Sequence, residues 1–94
     1  MRMMLVGAGA VGESIVKVMQ WRDPKGEWLE YVLVCDYDKA RAQEVVDKLS
    51  GDTRFEAEKV NATDREDMKN LIKAHKIDFV MDAAPPFASN MIFD

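Results

Sequence analysis

Three glycines near the amino terminus, Gly7, Gly9 and Gly12, have the spacing G-x-G-x-x-G. The first glycine of such a turn permits a tight bend, and the second lets the main chain approach a diphosphate closely. The third lets the following helix pack against the preceding strand, and the amino terminus of that helix offers free N–H groups and partial positive charge. The spacing therefore favours dinucleotide binding, provided that a strand precedes the glycines and a helix follows them.

An acidic residue lies where a dinucleotide site would need one. Asp36 ends a second apolar segment, and it follows Gly12 by close to the roughly 20 residues that the fingerprint requires. Its carboxylate would accept hydrogen bonds from the hydroxyl groups of the adenosine ribose. The alternative is that the glycines only form a tight turn and that Asp36 only ends a strand. The combined placement of strand, helix and acid favours the dinucleotide interpretation.

The residues around Asp36 bear on the choice between NAD and NADP. Asp36 and Asp38 would repel the additional 2′-phosphate of NADP, whereas Lys39 and Arg41 are near enough in the sequence to pair with it. Because the carboxylate at the end of the strand is normally the closer group, the sequence predicts NAD, with NADP possible.

Four segments have the composition of strands. The first two are continuously apolar, which is typical of buried strands in a parallel sheet. The third carries glutamates and a lysine, which favours an edge or partly exposed position. The segments are 3–6, 31–35, 55–60 and 77–81.

Helical patterns separate these segments. The first predicted helix extends from Ala10 to near Arg22, Asp38 can cap the second, and a capping-box pattern of Thr63 and Glu66 begins the third. The predicted apolar face of the first helix consists of Val11, Ile15, Val18 and Met19. A fourth helix is predicted to start after the last strand. This alternation predicts an α/β, Rossmann-like fold of three layers, a parallel sheet of order 3-2-1-4 with helices on both faces.

The bulk composition argues against several classes of protein. The 94 residues suffice for one domain at most, and contents of 48% hydrophobic and 32% charged residues are ordinary for a globular protein. The net charge of −4 disfavours nucleic acid as a partner. No apolar segment approaches the roughly 20 residues of a membrane span. Glycines and Glu13 interrupt the apolar amino terminus, which disfavours a signal peptide, so a cytoplasmic location is predicted.

The residues outside the glycine turn that could suggest catalysis or metal binding have structural explanations. His75, the only histidine, is predicted at a helix end, where a solvated or dipole-compensating cation is typical. Cys35, the only cysteine, has no second ligand at metal spacing and is interpreted as a core residue. Trp21 and Trp28 flank a turn and are expected to close a small hydrophobic cluster. We therefore predict no catalytic and no metal-binding residue in this chain.

Three motifs stand out, LVGAGAVG at 5–12, CDYDKARA at 35–42 and FVMDAAPPF at 79–87. Together they resemble the N-terminal NAD(P)-binding domain of the saccharopine dehydrogenase family. The resemblance covers essentially the whole chain, and the proline pair in the last motif is its most specific element. It implies a set of cofactor-binding residues: Gly7, Gly9, Ala10, Val11, Gly12, Asp36, Ala62, Ala83, Ala84 and Pro85.

The sequence departs from the family pattern at two positions. Asp82 occupies a position at which the family often has asparagine, and Tyr37 follows the acid where arginine is common. The second departure strengthens the predicted preference for NAD, because an arginine that could bind a 2′-phosphate is missing there.

The resemblance also implies a function. Members of the family are NAD(P)-dependent oxidoreductases that oxidise or form secondary amines of amino acids by hydride transfer. We expect residues 1–94 to be a dinucleotide-binding domain, cut after the fourth strand, that lacks the C-terminal substrate domain and catalyses nothing alone. The fourth strand would then be an unpaired sheet edge, so self-association is also expected.

Two other functions are compatible with a glycine-rich βα turn. One is a regulatory NAD-sensing module of the kind found in potassium-channel regulators, whose third-strand and helix segment loosely resembles residues 60–71. Such modules lack the proline-pair segment, which disfavours this alternative. The other is a methyltransferase that binds its own nucleotide, which binding of S-adenosylmethionine but not NAD would support.

Overall fold

The computed structural model describes residues 1–61 and 63–83. Their elements alternate along the chain as β1 (Arg2–Val6), α1 (Ala10–Arg22), β2 (Tyr31–Asp36), α2 (Lys39–Asp47), β3 (Phe55–Lys59), α3 (Arg65–Ala74) and β4 (Phe79–Asp82). The four strands form one parallel sheet in the order β3-β2-β1-β4. The predicted α/β, Rossmann-like fold and strand order are therefore confirmed. The predicted fourth helix falls outside the described residues.

The two inner strands form the centre of the sheet because their side chains are almost entirely apolar. Every residue of these strands is buried except Arg2, the first residue of β1, and Asp36, the last residue of β2. Side chains of successive residues alternate between two apolar clusters, one on each face of the sheet. Residues of α1 and α2 contribute to one cluster, and Met68 of α3 contributes to the other. The sheet thus has helices on both faces, as predicted.

The face that α1 turns toward the sheet differs from the prediction. Gly12 and Val16 are its buried residues, and Ile15 and Met19 pack at the border of the core. Val11 and Val18, which were predicted to be core residues, are 63% and 50% exposed. The hydrophobic spacing identified Ile15 and Met19 correctly but misplaced the centre of the face, because a glycine without a side chain forms the closest contact with the turn before the helix.

Aspartates cap the amino-terminal ends of α2 and α3. Asp38 caps α2 as predicted, its Oδ1 accepting a hydrogen bond of 3.0 Å from the N–H of Ala40. The predicted capping box at Thr63 is wrong, because Asp64 caps α3 through the N–H of Glu66 and Asp67. Thr63 instead donates its hydroxyl hydrogen to Oδ1 of Asn61, at 2.7 Å.

The loop between α1 and β2 is held by polar contacts and not by the predicted tryptophan cluster. Trp21 and Trp28 are 78% and 62% exposed. The carboxylate of Asp23 accepts three backbone hydrogen bonds across this loop, from the N–H groups of Glu27, Trp28 and Leu29. A network of this kind fixes the loop without an apolar contact between the two indoles.

None of the helices in the described ranges has the length and apolarity required to cross a membrane.

Candidate dinucleotide site

The glycine turn follows β1 and is hydrogen-bonded to the carboxyl end of β2. The N–H of Gly7 donates to the carbonyl oxygen of Cys35 at 2.8 Å, so the turn begins directly beside the end of β2. Gly7 has a φ of 99°, in the left-handed region that a residue with a side chain adopts only with strain. The first glycine is thus required by the bend of the backbone.

The third glycine is required by packing. A Cβ atom built on Gly12 would overlap the carbonyl oxygen of Gly7 and lie 3.1 Å from the carbonyl carbon of that residue. The Cδ2 atom of Leu5 lies 3.5 Å from the same position. The first turn of α1 therefore packs directly on β1 and the turn, as the spacing predicted.

The middle glycine has no such reason within the described protein. Gly9 is exposed, and a Cβ atom added to it would meet nothing within 4 Å. Its φ of −76° and ψ of −165° are accessible to any residue. A glycine is thus unexplained by the fold here, and it leaves the backbone open to the close approach of a ligand.

Gly9 is also the amino-terminal cap of α1, and no side chain hydrogen-bonds to this helix end. The first N–H groups of a helix have no acceptor within the helix. Ala10 and Val11, the first two residues of α1, are exposed. The uncapped helix terminus can therefore donate hydrogen bonds to an anion such as a diphosphate, which the helix dipole favours.

Asp36 provides an acceptor at the neighbouring strand end. Its Oδ1 atom accepts a hydrogen bond of 2.8 Å from the N–H of Tyr37. Its Oδ2 atom is buried and accepts no hydrogen bond from the described residues, and the Nε atom of Arg41 lies 3.9 Å away. A buried acceptor that lacks a hydrogen bond costs about 1–3 kcal/mol. A hydroxyl group from a ligand at this position would relieve that cost.

The other strand ends surround the same region. The N–H of Ala83 donates to the carbonyl oxygen of Val6 at 2.7 Å, so the exit of β4 lies beside the entrance to the glycine turn. On the other side, the N–H of Val60 donates to the carbonyl oxygen of Asp36 at 2.9 Å. The remaining predicted contacts, Ala62, Ala84 and Pro85, lie outside the described residues.

Residues 3–94 match the family described as the saccharopine dehydrogenase NADP binding domain. The match extends over nearly the whole chain. The chain belongs to this family. No curated protein matches the sequence.

Membership confirms the resemblance and the predicted class of cofactor. The saccharopine dehydrogenase NADP-binding domain is a dinucleotide-binding domain of oxidoreductases, so this chain binds a cofactor of the NAD(P) type. The match does not favour the alternative of a regulatory module related to potassium-channel regulators. The glycine turn and the acceptor at Asp36 fit such a cofactor, because each leaves open a position that the described protein does not fill.

His75 and Cys35, the two residues whose types could suggest catalysis, are both held in contacts within this NADP-binding domain. His75 lies at the opposite, amino-terminal edge of the sheet, where its ring stacks on Tyr31 and its Nδ1 is 3.0 Å from the Tyr31 hydroxyl oxygen. It is thus a partly buried packing residue and not a solvated one. Burial raises the pKa of the Cys35 thiol to about 12, which keeps it protonated and unreactive. The described ranges contain no group of side chains that could hold a metal ion.

The contact between Arg41 and Asp36 was not predicted. The sequence suggested Arg41 only as a cation near the strand end. The structure places it in the first turn of α2, where its backbone N–H donates to the carbonyl oxygen of Asp38 at 3.1 Å. The signal that could have revealed the contact is the short connection between β2 and α2, which returns the first helical turn to the end of the strand.

Proposed function

We propose that this chain holds the dinucleotide of a saccharopine dehydrogenase-like oxidoreductase that acts on a C–N bond of an amino acid. The observation that carries the dinucleotide site is the buried Oδ2 atom of Asp36, which lacks a hydrogen bond from the described residues. It lies at the strand end to which the glycine turn is hydrogen-bonded. The family membership supports the same assignment.

Each part of the site would contact a different part of the cofactor. The N–H groups at the start of α1 would bind the diphosphate, which the absence of a side chain at Gly9 lets come close to the backbone. Asp36 would accept hydrogen bonds from the adenosine ribose. Ala83, at the exit of β4, would border the cofactor on the other side of the turn. Bound in this way, the nicotinamide would accept or donate a hydride.

We further propose that NAD is bound more tightly than NADP. Asp36 is only partly buried, but its buried Oδ2 atom would lie beside the ribose, and a 2′-phosphate there would be repelled. Tyr37 occupies the next position and offers no positive charge. Calorimetric titration with both cofactors would test this, and tighter binding of NADP would overturn it.

The substrate would be bound by a second domain, and the hydride would be exchanged with a secondary amine of an amino acid. The 94-residue chain would by itself bind the dinucleotide weakly and catalyse nothing. Hydride transfer to or from any amino acid by this chain alone would contradict that division.

The composition supports a cytoplasmic location, since the single cysteine demands no oxidising compartment.

We also propose that the chain associates with itself through β4. In the described part of the sheet this strand pairs only with β1, and its first residue, Phe79, is 47% exposed. Unpaired, partly apolar strand edges readily pair with another chain. Sedimentation that shows only monomer at high protein concentration would contradict this.

Substitution of Gly9 tests the function, because a side chain at this position would hinder the approach of a ligand without contacting the protein itself. Gly9→Ala should fold normally, because its backbone angles suit alanine and the added Cβ meets no protein atom. We expect it to weaken NAD binding by about tenfold or more, since the diphosphate would lose its close approach to the backbone. Isothermal titration calorimetry of the folded chain provides the measurement.

Val18→Ala is the matched control. Val18 is exposed and lies two turns along the same helix from the glycine turn. This variant should bind NAD as the unsubstituted chain does. A folded chain that binds neither NAD nor NADP, or a Gly9→Ala variant with unchanged affinity, would contradict the proposed function.

A further inference from the structure

We propose that Arg41 determines how well this site accepts the 2′-phosphate of NADP. The inference rests on the proposed dinucleotide site and assigns within it a residue that decides between two forms of the cofactor. It starts from the position of the Arg41 Nε atom, 3.9 Å from the Oδ2 atom of Asp36.

The backbone fixes where Arg41 can act. Arg41 is the third residue of α2, and its N–H donates to the carbonyl oxygen of the cap residue, Asp38, at 3.1 Å. The first turn of α2 is thereby held at the carboxyl end of β2, close to the carboxylate that would bind the ribose. The arginine lies where a group attached to the 2′-position would meet it.

The side chain of Arg41 is available for a new partner. It is 64% exposed, and in the described ranges its guanidinium makes no hydrogen bond to the protein. Its separation from Asp36 exceeds hydrogen-bonding distance, so the pair is held by charge alone. Five N–H donors in a planar fork therefore remain free, and this arrangement binds phosphate oxygens in pairs.

The charges at the strand end explain why such a residue matters. Asp36 alone would repel a 2′-phosphate, which would lie beside its partly buried carboxylate. Arg41 offsets that negative charge and can itself donate to the phosphate. NAD lacks the phosphate, so its binding depends on Asp36 and gains little from Arg41. Removal of the arginine should therefore affect one cofactor and not the other.

Lys39 provides a matched control for the loss of positive charge. It is the first residue of α2 and is exposed, and no ion pair joins it to Asp36 among the described residues. Two residues along a helix place side chains on nearly opposite sides, so Lys39 and Arg41 point in different directions. Lys39→Ala thus removes the same charge from the same turn without removing the proposed contact.

The experiment compares the affinities for NADP and NAD of the unsubstituted chain, Arg41→Ala and Lys39→Ala by calorimetry at one low salt concentration. Loss of Arg41 should weaken NADP binding by roughly tenfold, a factor that corresponds to about 1.4 kcal/mol. NAD binding should change by less than about twofold, and Lys39→Ala should change neither affinity by more than about threefold, as expected of an exposed, screened charge. Arg41→Lys, which keeps the charge but not the planar fork, should be intermediate for NADP.

The outcomes separate this inference from the function on which it rests. If the unsubstituted chain binds NAD but Arg41→Ala weakens both cofactors alike, weakens neither, or matches Lys39→Ala, the role of Arg41 is wrong and the dinucleotide site stands. If the folded chain binds NAD but no NADP at all, the role of Arg41 is also wrong. If it binds neither cofactor, the proposed function falls, and the inference falls with it.

Discussion

The polar groups at the two ends of the parallel strands differ in whether the protein itself supplies their hydrogen-bond partners. These two ends are called here the amino-terminal edge and the carboxyl-terminal edge of the sheet. At the amino-terminal edge, Asp23 accepts three backbone hydrogen bonds, and Arg54 donates from Nη1 to the carbonyl oxygens of Asp23 and Leu29. At the carboxyl-terminal edge, the amino-terminal end of α1 has no side-chain cap. The Oδ2 atom of Asp36 there accepts no hydrogen bond from the described residues. Where the protein satisfies its own polar groups, they stabilise the fold. Where it leaves them open, they are available to a ligand.

The pKa values at the amino-terminal edge reflect this self-sufficiency. Backbone hydrogen bonds, the one from Leu29 foremost, lower the pKa of the Asp23 carboxyl group. Hydrogen bonds from Arg54 lower the pKa of Asp52, which accepts from Nη2 of that arginine at 2.7 Å. The ionised forms of both carboxylates are thus part of the folded state.

The same edge contains a second satisfied cluster around Tyr31. Its hydroxyl donates to Glu56 at 3.1 Å and lies 3.0 Å from Nδ1 of His75, while the guanidinium of Arg2 lies 4.2 Å from the ring centre. Burial raises the pKa of this tyrosine above its ordinary value. Among residues 1–61 and 63–83, its polar contacts come from the neighbouring strands and from the end of α3.

The largest expected effect comes from the glycine turn, where two neighbouring glycines should respond differently. Gly12→Ala should destabilise the fold by about 3 kcal/mol, because its Cβ would overlap the carbonyl oxygen of Gly7 and the helix would have to move. Gly9→Ala should cost less than about 1 kcal/mol, since its Cβ meets no atom. Urea unfolding followed by circular dichroism measures both. Equal losses of stability would show that the turn does not pack as described.

A smaller loss is expected from the self-satisfied edge. Arg54→Ala should destabilise the fold by about 2 kcal/mol, because two backbone carbonyls and the carboxylate of Asp52 would lose the hydrogen bonds from the guanidinium. Dinucleotide affinity of the folded variant should not change, since Arg54 lies at the other edge of the sheet. Unfolding and calorimetric titration of the same sample give both values. A loss of NAD affinity without loss of stability would reverse the distinction between the two edges.

Lys48→Ala is the control for this variant. Lys48 also pairs with a carboxylate, that of Glu13 at 2.8 Å, but both side chains are partly exposed. Unlike Arg54, its side chain donates to no backbone carbonyl of the described residues. This substitution should leave the unfolding midpoint nearly unchanged.

The smallest effect is a change of stability with pH. Because the folded-state pKa of Asp52 is lowered, its contribution is complete above the unfolded value of about 3.9 and is lost as the pH falls through the folded-state value. Asp52→Asn should therefore have a lower melting temperature than the unsubstituted chain at pH 7, and the difference should shrink below about pH 4.

Melting curves recorded between about pH 2 and pH 7 give this difference directly. Asp47→Asn is the control, because Asp47 is exposed and its only described hydrogen bond comes from Gln43 on the same helix. A difference for Asp52→Asn that stays constant down to the lowest pH would show that its ion pair with Arg54 does not stabilise the fold.

How far the sequence could predict these edges depends on the range of the interactions. The glycine turn, Asp36 and the cap at Asp38 are local patterns, and each occupies the place that the spacing indicated. The rotation of α1 was mispredicted because it is set by the contact between Gly12 and Gly7, and a glycine carries no weight in a hydrophobic pattern.

The amino-terminal edge was harder to predict because its contacts join distant segments. Arg54 meets Asp23 and Leu29 across the sheet edge, and His75 meets Tyr31 from the end of another helix. Only the fold brings these residues together. The cap of α3 was mispredicted for a different reason. Thr63 and Asp64 are adjacent and either could cap the helix, and the sequence pattern favoured the wrong one.

The most direct test of the account is an NMR titration of the isotopically labelled chain with NAD, in which every backbone amide reports on its surroundings. We predict the largest shifts at the amides of Gly7, Gly9, Val11 and Asp36, with Tyr31 and His75 unaffected. Shifts concentrated at Tyr31 and His75, with none at the glycine turn, would contradict the assignment of the carboxyl-terminal edge as the dinucleotide site.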